Sequence, residues 1–191
     1  MKSTIYIIIA LYVGQGVTLH AGDLTGRVNL TSNGVVIAIR DVPGTYQLNR
    51  SPKTMDQKQM RFFPQILPVL VDSEVQFPNS EDVLYHNVYS NSASKSFDLG
   101  TYRAGTIKSL TFQETGVVEI MCRIHTRMYA AIIVLENPYF TVVNKNGDYR
   151  IESIPAGKYT VDIYKLGHYK VDRQQQEIEI AYEGEYILNL E

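Results

Sequence analysis

The segment Met121-Cys122-Arg123-Ile124-His125-Thr126-Arg127-Met128 holds the only cysteine of the chain, a histidine three residues later and a methionine three residues after that. Thiolate, imidazole and thioether groups are donors that favour soft or borderline metal ions. Apolar stretches that are predicted to be strands precede and follow the segment, at residues 117–122 and 129–135. The sequence therefore predicts a loop between two strands whose side chains bind a metal ion.

A second imidazole comes from a segment well upstream of this loop. Alternation over residues 83–89 predicts a strand that places Leu84, His86 and Val88 on one face. Two imidazoles, a thiolate and a weak axial methionine form the ligand set of blue-copper centres. We therefore predict four copper ligands: His86, Cys122, His125 and Met128. Asn87 follows the first of them and is a candidate to hydrogen-bond to the loop and hold it closed.

Each of these residues also has a simpler interpretation. A free cysteine most often behaves as a small buried hydrophobe, and methionine commonly fills gaps in cores. His86 could be a hydrogen-bonded core histidine, His125 a surface loop histidine, and Asn87 an ordinary polar strand residue. The metal-site hypothesis is favoured because the cysteine is solitary and because donors of three kinds recur at a regular spacing.

Composition narrows the classes of function. The chain has 191 residues, enough for one large or two small domains, and a formal net charge of -2. A nucleic-acid-binding protein needs a basic surface to contact phosphates, so this near-neutral charge argues against that class. A single cysteine excludes an intrachain disulfide and leaves a thiol that needs another explanation.

The N-terminus has the order of a secretory signal peptide. Lys2 is followed by an apolar run from Ile5 to Val13 and then by small and polar residues. We predict that residues 1–21 are the signal peptide, with cleavage between residues 16 and 22. The apolar run is about half of the ~20 residues that span a bilayer, so we expect no membrane span in the mature chain. The protein is accordingly predicted to be periplasmic or secreted, where metal ligation protects a free thiol from oxidation.

The remaining sequence alternates in the manner of β-strands. No segment has a period-3.6 stripe of helical length, so the predicted fold class is all-β, with two sandwiches. Asn33-Gly34 predicts a hairpin that joins a strand at residues 26–30 to a return strand at Val35–Ile39. Pro68 interrupts the apolar residues 65–71, which is typical of an edge strand.

With these segments placed, residues 55–136 resemble the cupredoxins, the family of blue copper proteins. The resemblance rests on ordered motifs: Val75-Gln76-Phe77-Pro78-Asn79, His86-Asn87-Val88, Phe97-Asp98-Leu99-Gly100, Gly116-Val117-Val118 and the loop Cys122–Met128. The loop is similar in length to that of amicyanin-like members, and the chain also looks like methylamine-utilisation-like periplasmic proteins. The resemblance implies a Greek-key sandwich with one type 1 copper ion at one end, held by His86 from a strand and by three ligands from the loop.

Such a site implies electron transfer, because copper cycles between Cu(I) and Cu(II) with no bond made to a substrate. Four protein donors leave no open coordination position, so the chain is not expected to be an enzyme. A redox partner protein is expected, and Arg123 and Arg127 beside His125 would favour an acidic one. Two other hypotheses stay open: a copper-binding protein for metal sequestration or delivery without a redox role, and a purely structural β-sandwich module for adhesion or ligand binding.

The flanks resemble a second family, the carboxypeptidase regulatory-like (transthyretin-like) sandwich. The motifs are Gly147-Asp148-Tyr149-Arg150-Ile151 and Ile154-Pro155-Ala156-Gly157-Lys158-Tyr159, together with an opening strand at Gly26-Arg27-Val28 and the hairpin strand Val35–Ile39. We therefore predict that residues 23–50 and 137–191 form one sandwich and that a cupredoxin domain, residues 51–136, is inserted into it. The alternative is a tandem arrangement in which the N-terminal hairpin pairs with the cupredoxin sheet.

Overall fold

The computed structural model describes residues 21–29, 34–181 and 184–190. Within these ranges the chain forms β-strands, turns and irregular segments, and no helix. The all-β prediction is therefore confirmed. Residues 1–20, most of the predicted signal peptide, lie outside the described ranges. Over the described residues, no helix is long and apolar enough to cross a membrane.

The described ranges contain seventeen strands, which we number in chain order. They are β1 (Gly22–Arg27), β2 (Val35–Ile39), β3 (Lys53–Thr54), β4 (Asp56–Lys58), β5 (Arg61–Phe63), β6 (Ile66–Leu70), β7 (Ser73–Pro78), β8 (His86–Ser92), β9 (Lys95–Tyr102), β10 (Ile107–Phe112), β11 (Gly116–Met121), β12 (Tyr129–Leu135), β13 (Phe140–Val142), β14 (Asp148–Ile154), β15 (Gly157–Leu166), β16 (Val171–Ile180) and β17 (Glu185–Ile187).

Strands β3 to β12 form the sandwich that carries the predicted ligands, which we call the central sandwich. Its larger sheet has the order β6-β12-β11-β8-β9, and its smaller sheet has the order β10-β7-β3. Alternate side chains point between the sheets, as in β7, where Ser73, Val75 and Phe77 are buried. The core between the sheets includes Phe62, Phe77, Phe112, Val118, Ile120 and Ile132.

The strand that contains Pro68 lies at the edge of the larger sheet, as predicted. β6 pairs on one side with β12, to which it runs parallel, with Pro68 opposite Ile133. Proline has no N–H to donate, so a strand that needs partners on one side tolerates it best.

Strands from both ends of the chain form the second sandwich, which we call the flanking sandwich. One of its sheets has the order β14-β1-β17 and the other the order β13-β2-β15-β16. Leu24 of β1 lies opposite Ile151 of β14 and Tyr186 of β17. The chain leaves and re-enters this sandwich at one place, where Nδ2 of Asn137 donates to the carbonyl of Ile39 at 2.9 Å. This pairing is what insertion of the central sandwich requires; the insertion and the boundaries given above stay a prediction. The likeness of the flanking sandwich to the carboxypeptidase regulatory-like family stays a prediction.

The predicted hairpin between β1 and β2 is wrong. The two strands belong to different sheets, since β1 pairs with β14 and β17 while β2 pairs with β13 and β15. All five residues of β2 are buried, because its odd-numbered positions face the flanking core while Val36 and Ala38 face the central sandwich. A strand with two apolar faces is most stable in the middle of a sheet, and this constraint overrides the local turn signal. Asn33 of the predicted turn lies outside the described residues.

The strand that carries His86 begins later than predicted. β8 starts at His86, and residues 79–85 before it are not part of a strand apart from an isolated bridge at Asn79. The Asn79 side-chain amide donates to the backbone carbonyls of Leu84 and Tyr102, at 2.9 and 3.1 Å. These carbonyls accept hydrogen bonds from a side chain, so residues 80–85 can form a loop without the backbone hydrogen bonds of a neighbouring strand. His86 and Val88 are buried on β8, as predicted, whereas Leu84 lies in the loop.

The two sandwiches pack through the outer faces of β2, β15 and β12. One apolar cluster joins Val36, Ala38, Tyr164 and Leu166 of the flanking sandwich to Ile66, Tyr129, Ala131 and Ile133 of the central one. Beside this interface, the buried carboxylate of Asp162 accepts hydrogen bonds from Arg173 and Gln175. The guanidinium of Arg173 and the amide of Gln175 offset the cost of burying this carboxylate. The flanking sandwich therefore packs against the sandwich that carries the predicted site and stabilises it.

Replacing Ile133 with alanine tests this interface. Ile133 is fully buried in the apolar cluster between the sandwiches, so Ile133→Ala is expected to lower the free energy of unfolding by about 2–5 kcal/mol. Urea denaturation measures the loss. Ile107→Ala removes the same atoms from a side chain that is 62% exposed, and it is expected to change the free energy by less than about 0.5 kcal/mol. Equal losses in the two variants would contradict the packing described here.

Candidate metal centre

The predicted ligand loop closes the hairpin between β11 and β12. Met121 pairs with Tyr129 at the end of the ladder, so residues 122–128 reverse the direction of the chain. The N–H of Met128 donates to the carbonyl of His125 at 2.9 Å, which forms a turn over the last four residues. The loop therefore lies at one end of the larger sheet, and a strand holds it on each side.

β8 brings the upstream histidine to this loop. It lies next to β11, with Tyr89 opposite Met121. The backbone N–H of Asn87 donates to Sγ of Cys122 at 3.4 Å. His86 is fully buried and Cys122 is 2% exposed. The pairing of these two strands thus places an imidazole beside the thiol.

Three donor groups meet at this end of the sheet: the imidazoles of His86 and His125 and the thiol of Cys122. One donor atom of each lies within 4.8 Å of the others, and Nδ1 of His86 is 3.0 Å from Nδ1 of His125. Two nitrogens bound to one tetrahedral metal ion, at roughly 2.0–2.1 Å each, are about 3.3 Å apart. The spacing of the two imidazoles therefore fits a single metal ion.

Glu81 fixes the orientation of the His86 ring. Its Oε1 lies 3.2 Å from Nε2 of His86 and also accepts the N–H of Met60 at 2.8 Å. A carboxylate can only accept here, so Nε2 is assigned as the N–H and the lone pair of Nδ1 is directed towards His125. A carboxylate behind a histidine ligand sets its tautomer in this way and raises its basicity.

The surroundings also set the protonation states of this pair. Burial lowers the pKa of His86 and the nearby His125 lowers it further, against the opposing effect of Glu81, so the net pKa lies below 6.5. For Glu81, burial raises the pKa, but the hydrogen bonds from the Met60 N–H and the His86 ring outweigh it and hold the pKa below its usual value. A neutral imidazole with an ionised carboxylate behind it is the combination that metal binding requires.

A polar network closes the loop from the other side. Oδ1 of Asn87 accepts the N–H of Arg123 at 3.2 Å, and Nδ2 of Asn87 donates to Oδ1 of Asp98 at 2.7 Å. Nε of Arg123 donates to Oδ2 of Asp98 at 3.0 Å, and its guanidinium lies 4.2 Å from the ring centroid of Tyr89. Asn87 therefore joins β8 and β9 to the first residue after the cysteine. Its importance for metal binding stays a prediction.

Met128 lies at the end of the ligand loop. Its side chain is 1% exposed and belongs to the same core cluster as Cys122. Both interpretations from the sequence agree with this position, since an axial ligand and a core-filling methionine would each be buried beside the thiol. Its role as a ligand stays a prediction.

Three residues to which the sequence analysis gave no role at the site help to hold it in place. Glu81 orients His86, Asn79 holds the loop before it, and Asp98 binds both Asn87 and Arg123. Two of them had a local signal, because the side chains of Asn79 and Asp98 each accept a backbone N–H two residues later, as in an Asx-turn. Glu81 had no such signal in the sequence, because only the folded loop brings its carboxylate beside His86.

Comparison with known proteins gave matches among solved structures. No family model and no curated protein matches the chain. A copper-containing nitrite reductase from Thermus scotoductus is 24% identical, with a TM-score of 0.43, over 50% of this chain and 25% of that one. A purple cupredoxin from Nitrosopumilus maritimus is 20% identical, with a TM-score of 0.39, over 44% of this chain and 99% of that one. A reduced Cu(I) form of an amicyanin variant is 20% identical, with a TM-score of 0.42, over 52% of this chain and 98% of that one. The chain thus spans about a quarter of the length of the reductase and nearly the whole length of the two smaller proteins.

Replacing Asp98 with asparagine tests the network behind the loop. The N–H of Gly100 lowers the pKa of Asp98, and Arg123 and Asn87 add to this against the opposing effect of burial, so the net pKa lies below its usual value. Such a carboxylate stabilises the fold above its unfolded pKa of about 4 and loses that contribution as the pH falls through the folded pKa. We expect Asp98→Asn to lower the urea midpoint at neutral pH, by an amount that shrinks progressively below about pH 4.

Asp82→Asn is the matched control for this measurement. Asp82 is exposed and, within the described ranges, forms no ion pair, so its replacement is expected to leave the urea midpoint unchanged at every pH. A loss in Asp98→Asn that is the same at all pH values would contradict a contribution from the charge of Asp98.

Proposed function

We propose that this chain is a type 1 copper electron-transfer protein of the periplasm or cell exterior, with His86, Cys122, His125 and Met128 as ligands. The observation that carries the proposal is the meeting of two imidazoles and one thiol within 4.8 Å. Thiolate and imidazole donors together suit copper. A copper ion held by this donor set supplies one-electron transfer between Cu(I) and Cu(II).

The surroundings of the donors favour electron transfer over metal delivery. The His86 ring is fixed by Glu81, and Sγ of Cys122 accepts the N–H of Asn87 at 3.4 Å. Donors held in this way keep their positions when the charge at the site changes, and the hydrogen bond to sulfur adjusts the reduction potential. Delivery would instead need ligands that separate readily to release the ion.

The two histidines differ in their access to solvent. His86 is fully buried, whereas His125 on the loop is partly exposed. The partly exposed His125 ring therefore offers a short path for an electron between the site and a partner protein. We infer a carrier and not a catalyst, because two imidazoles, a thiolate and a thioether would fill the coordination positions that a substrate needs.

Titration of the purified protein with Cu(II) tests the proposal. An intense visible thiolate-to-copper absorption band is expected, and Cys122→Ser is expected to abolish it because serine lacks the sulfur. His125→Ala changes a partly exposed position and is expected to shift or abolish the band without unfolding the protein. A colourless wild-type protein, or a band that persists in Cys122→Ser, would refute the proposal.

The rate of electron self-exchange separates the two copper functions. A rigid carrier is expected to exchange electrons rapidly between its reduced and oxidised forms, as measured by NMR line broadening in mixtures of the two. Slow exchange together with ready loss of copper to a chelator would favour sequestration or delivery.

Glu81→Gln tests the carboxylate behind His86. The substitution keeps the size of the side chain but removes the charge that fixes the tautomer, so copper affinity is expected to fall about 10- to 100-fold. Competition with a chelator of known affinity measures the change. Glu114→Gln, in the turn before β11 at the far end of that strand, makes the same chemical change and is expected to leave the affinity unaltered. Unaltered affinity in Glu81→Gln would contradict its positioning role.

A further inference from the structure

A cleft of about 690 Å³ lies beside the ligand loop, and the flanking sandwich forms part of its wall. The ligand loop contributes residues 124–128, and the β15–β16 turn contributes residues 167–169. Tyr169 of this turn packs edge-on against Tyr129, with 5.6 Å between the ring centroids. The turn is therefore held against the residue that follows Met128.

The cleft is basic although the chain as a whole is not. The arginines and histidines that line it are Arg61, Arg127, His125 and His168, and the described residues that line it include no Asp or Glu. Arg123 is paired with Asp98 at 3.0 Å, whereas Arg61 and Arg127 have no carboxylate within ion-pair distance in the part of the chain that the structure describes. Two guanidinium groups without a carboxylate partner thus line the same cleft as the partly exposed His125.

Apolar side chains are interspersed with these cations. Met60, Ile124 and Tyr169 line the same cleft and are 53%, 47% and 43% exposed. Arginine, tyrosine and methionine are enriched at protein interfaces, whereas a small-molecule site is mostly an enclosed apolar cavity with a few polar groups. The composition of the cleft therefore fits a protein segment better than a small ligand.

We propose that this cleft binds an acidic segment of a partner protein and that the β15–β16 turn of the flanking sandwich is part of the docking surface. Asp and Glu side chains of the partner pair with Arg61 and Arg127, whose planar guanidinium groups match carboxylates. The identity of the partner as a redox protein rests on the copper function proposed above. Docking here places the partner against the partly exposed His125 ring.

A fluorescently labelled hexaglutamate peptide is the probe, titrated by fluorescence anisotropy into the full-length protein at low ionic strength without added metal. The double variant Arg61→Ser with Arg127→Ser is expected to weaken binding roughly five- to tenfold, since each exposed charge pair contributes up to about 1 kcal/mol. The control is Lys95→Ser with Lys145→Ser, which removes the same charge from the first residue of β9 and from an exposed turn of the flanking sandwich. It is expected to leave binding within about twofold. Equal losses in both double variants would overturn the proposal, because net charge alone would then explain binding.

A second pair of variants tests the contribution of the flanking sandwich. His168→Glu places a carboxylate on the β15–β16 turn and is expected to weaken peptide binding roughly threefold by repulsion. Asn146→Glu makes the same change in charge on another exposed turn of the same sandwich and is expected to have little effect. Equal binding by the two variants would remove the flanking sandwich from the docking surface.

The peptide measurement is independent of copper. Failure of the peptide to bind a protein that shows the copper band would overturn the docking cleft and leave the copper function standing. Salt-sensitive peptide binding that depends on Arg61 and Arg127, in a protein that shows no copper band, would support the cleft and refute the copper function.

Discussion

The site depends on the register of β8 against β11. Tyr89 lies opposite Met121, and from this pairing the N–H of Asn87 reaches Sγ of Cys122. Successive side chains of a strand point to opposite faces, so a slip of one residue would turn the donors away from each other. The apolar core favours this register, because Val88, Val118 and Ile120 are fully buried in it. The same strand register therefore packs the core and brings the donor side chains together.

The same end of the sheet buries several polar groups, and this limits how the site can move. His86, Asn87 and Asn79 are each 2% exposed or less, and each has hydrogen-bond partners. Leaving one of these groups unpaired inside the protein would cost about 1–3 kcal/mol. Any displacement of the ligand loop that breaks the network is opposed by this cost. The donors are thus held in place by their own contacts and by the free-energy cost of breaking the hydrogen bonds of the buried polar groups around them.

The sequence predicted the parts of the molecule that local pattern determines. Strand alternation indicated the all-β class, and the spacing from Cys122 to Met128 located the loop at the end of β11. The errors came from tertiary constraints. Two-sided burial placed β2 between β13 and β15 and overrode the hairpin signal at Gly34, while hydrogen bonds from Asn79 kept residues before His86 out of β8. Glu81 was missed because a single carboxylate in a loop carries no pattern until its partner is folded beside it.

The chain leaves the flanking sandwich near Ile39 and returns to it near Asn137. This arrangement affects the order in which we expect its strands to fold. β1 and β2 are made first, but their partners β13 to β17 follow the whole central sandwich. Pairing over such a separation is slow in an open chain, because the loop must close before the contacts stabilise it. In the folded protein Nδ2 of Asn137 donates to the carbonyl of Ile39, so a central sandwich that forms first would bring the residues on either side of it close together. The entropy cost of closing the loop between β2 and β13 would then be smaller, because the folded central sandwich already holds the ends of that loop together. We therefore expect the central sandwich to fold first and to bring the two halves of the flanking sandwich together.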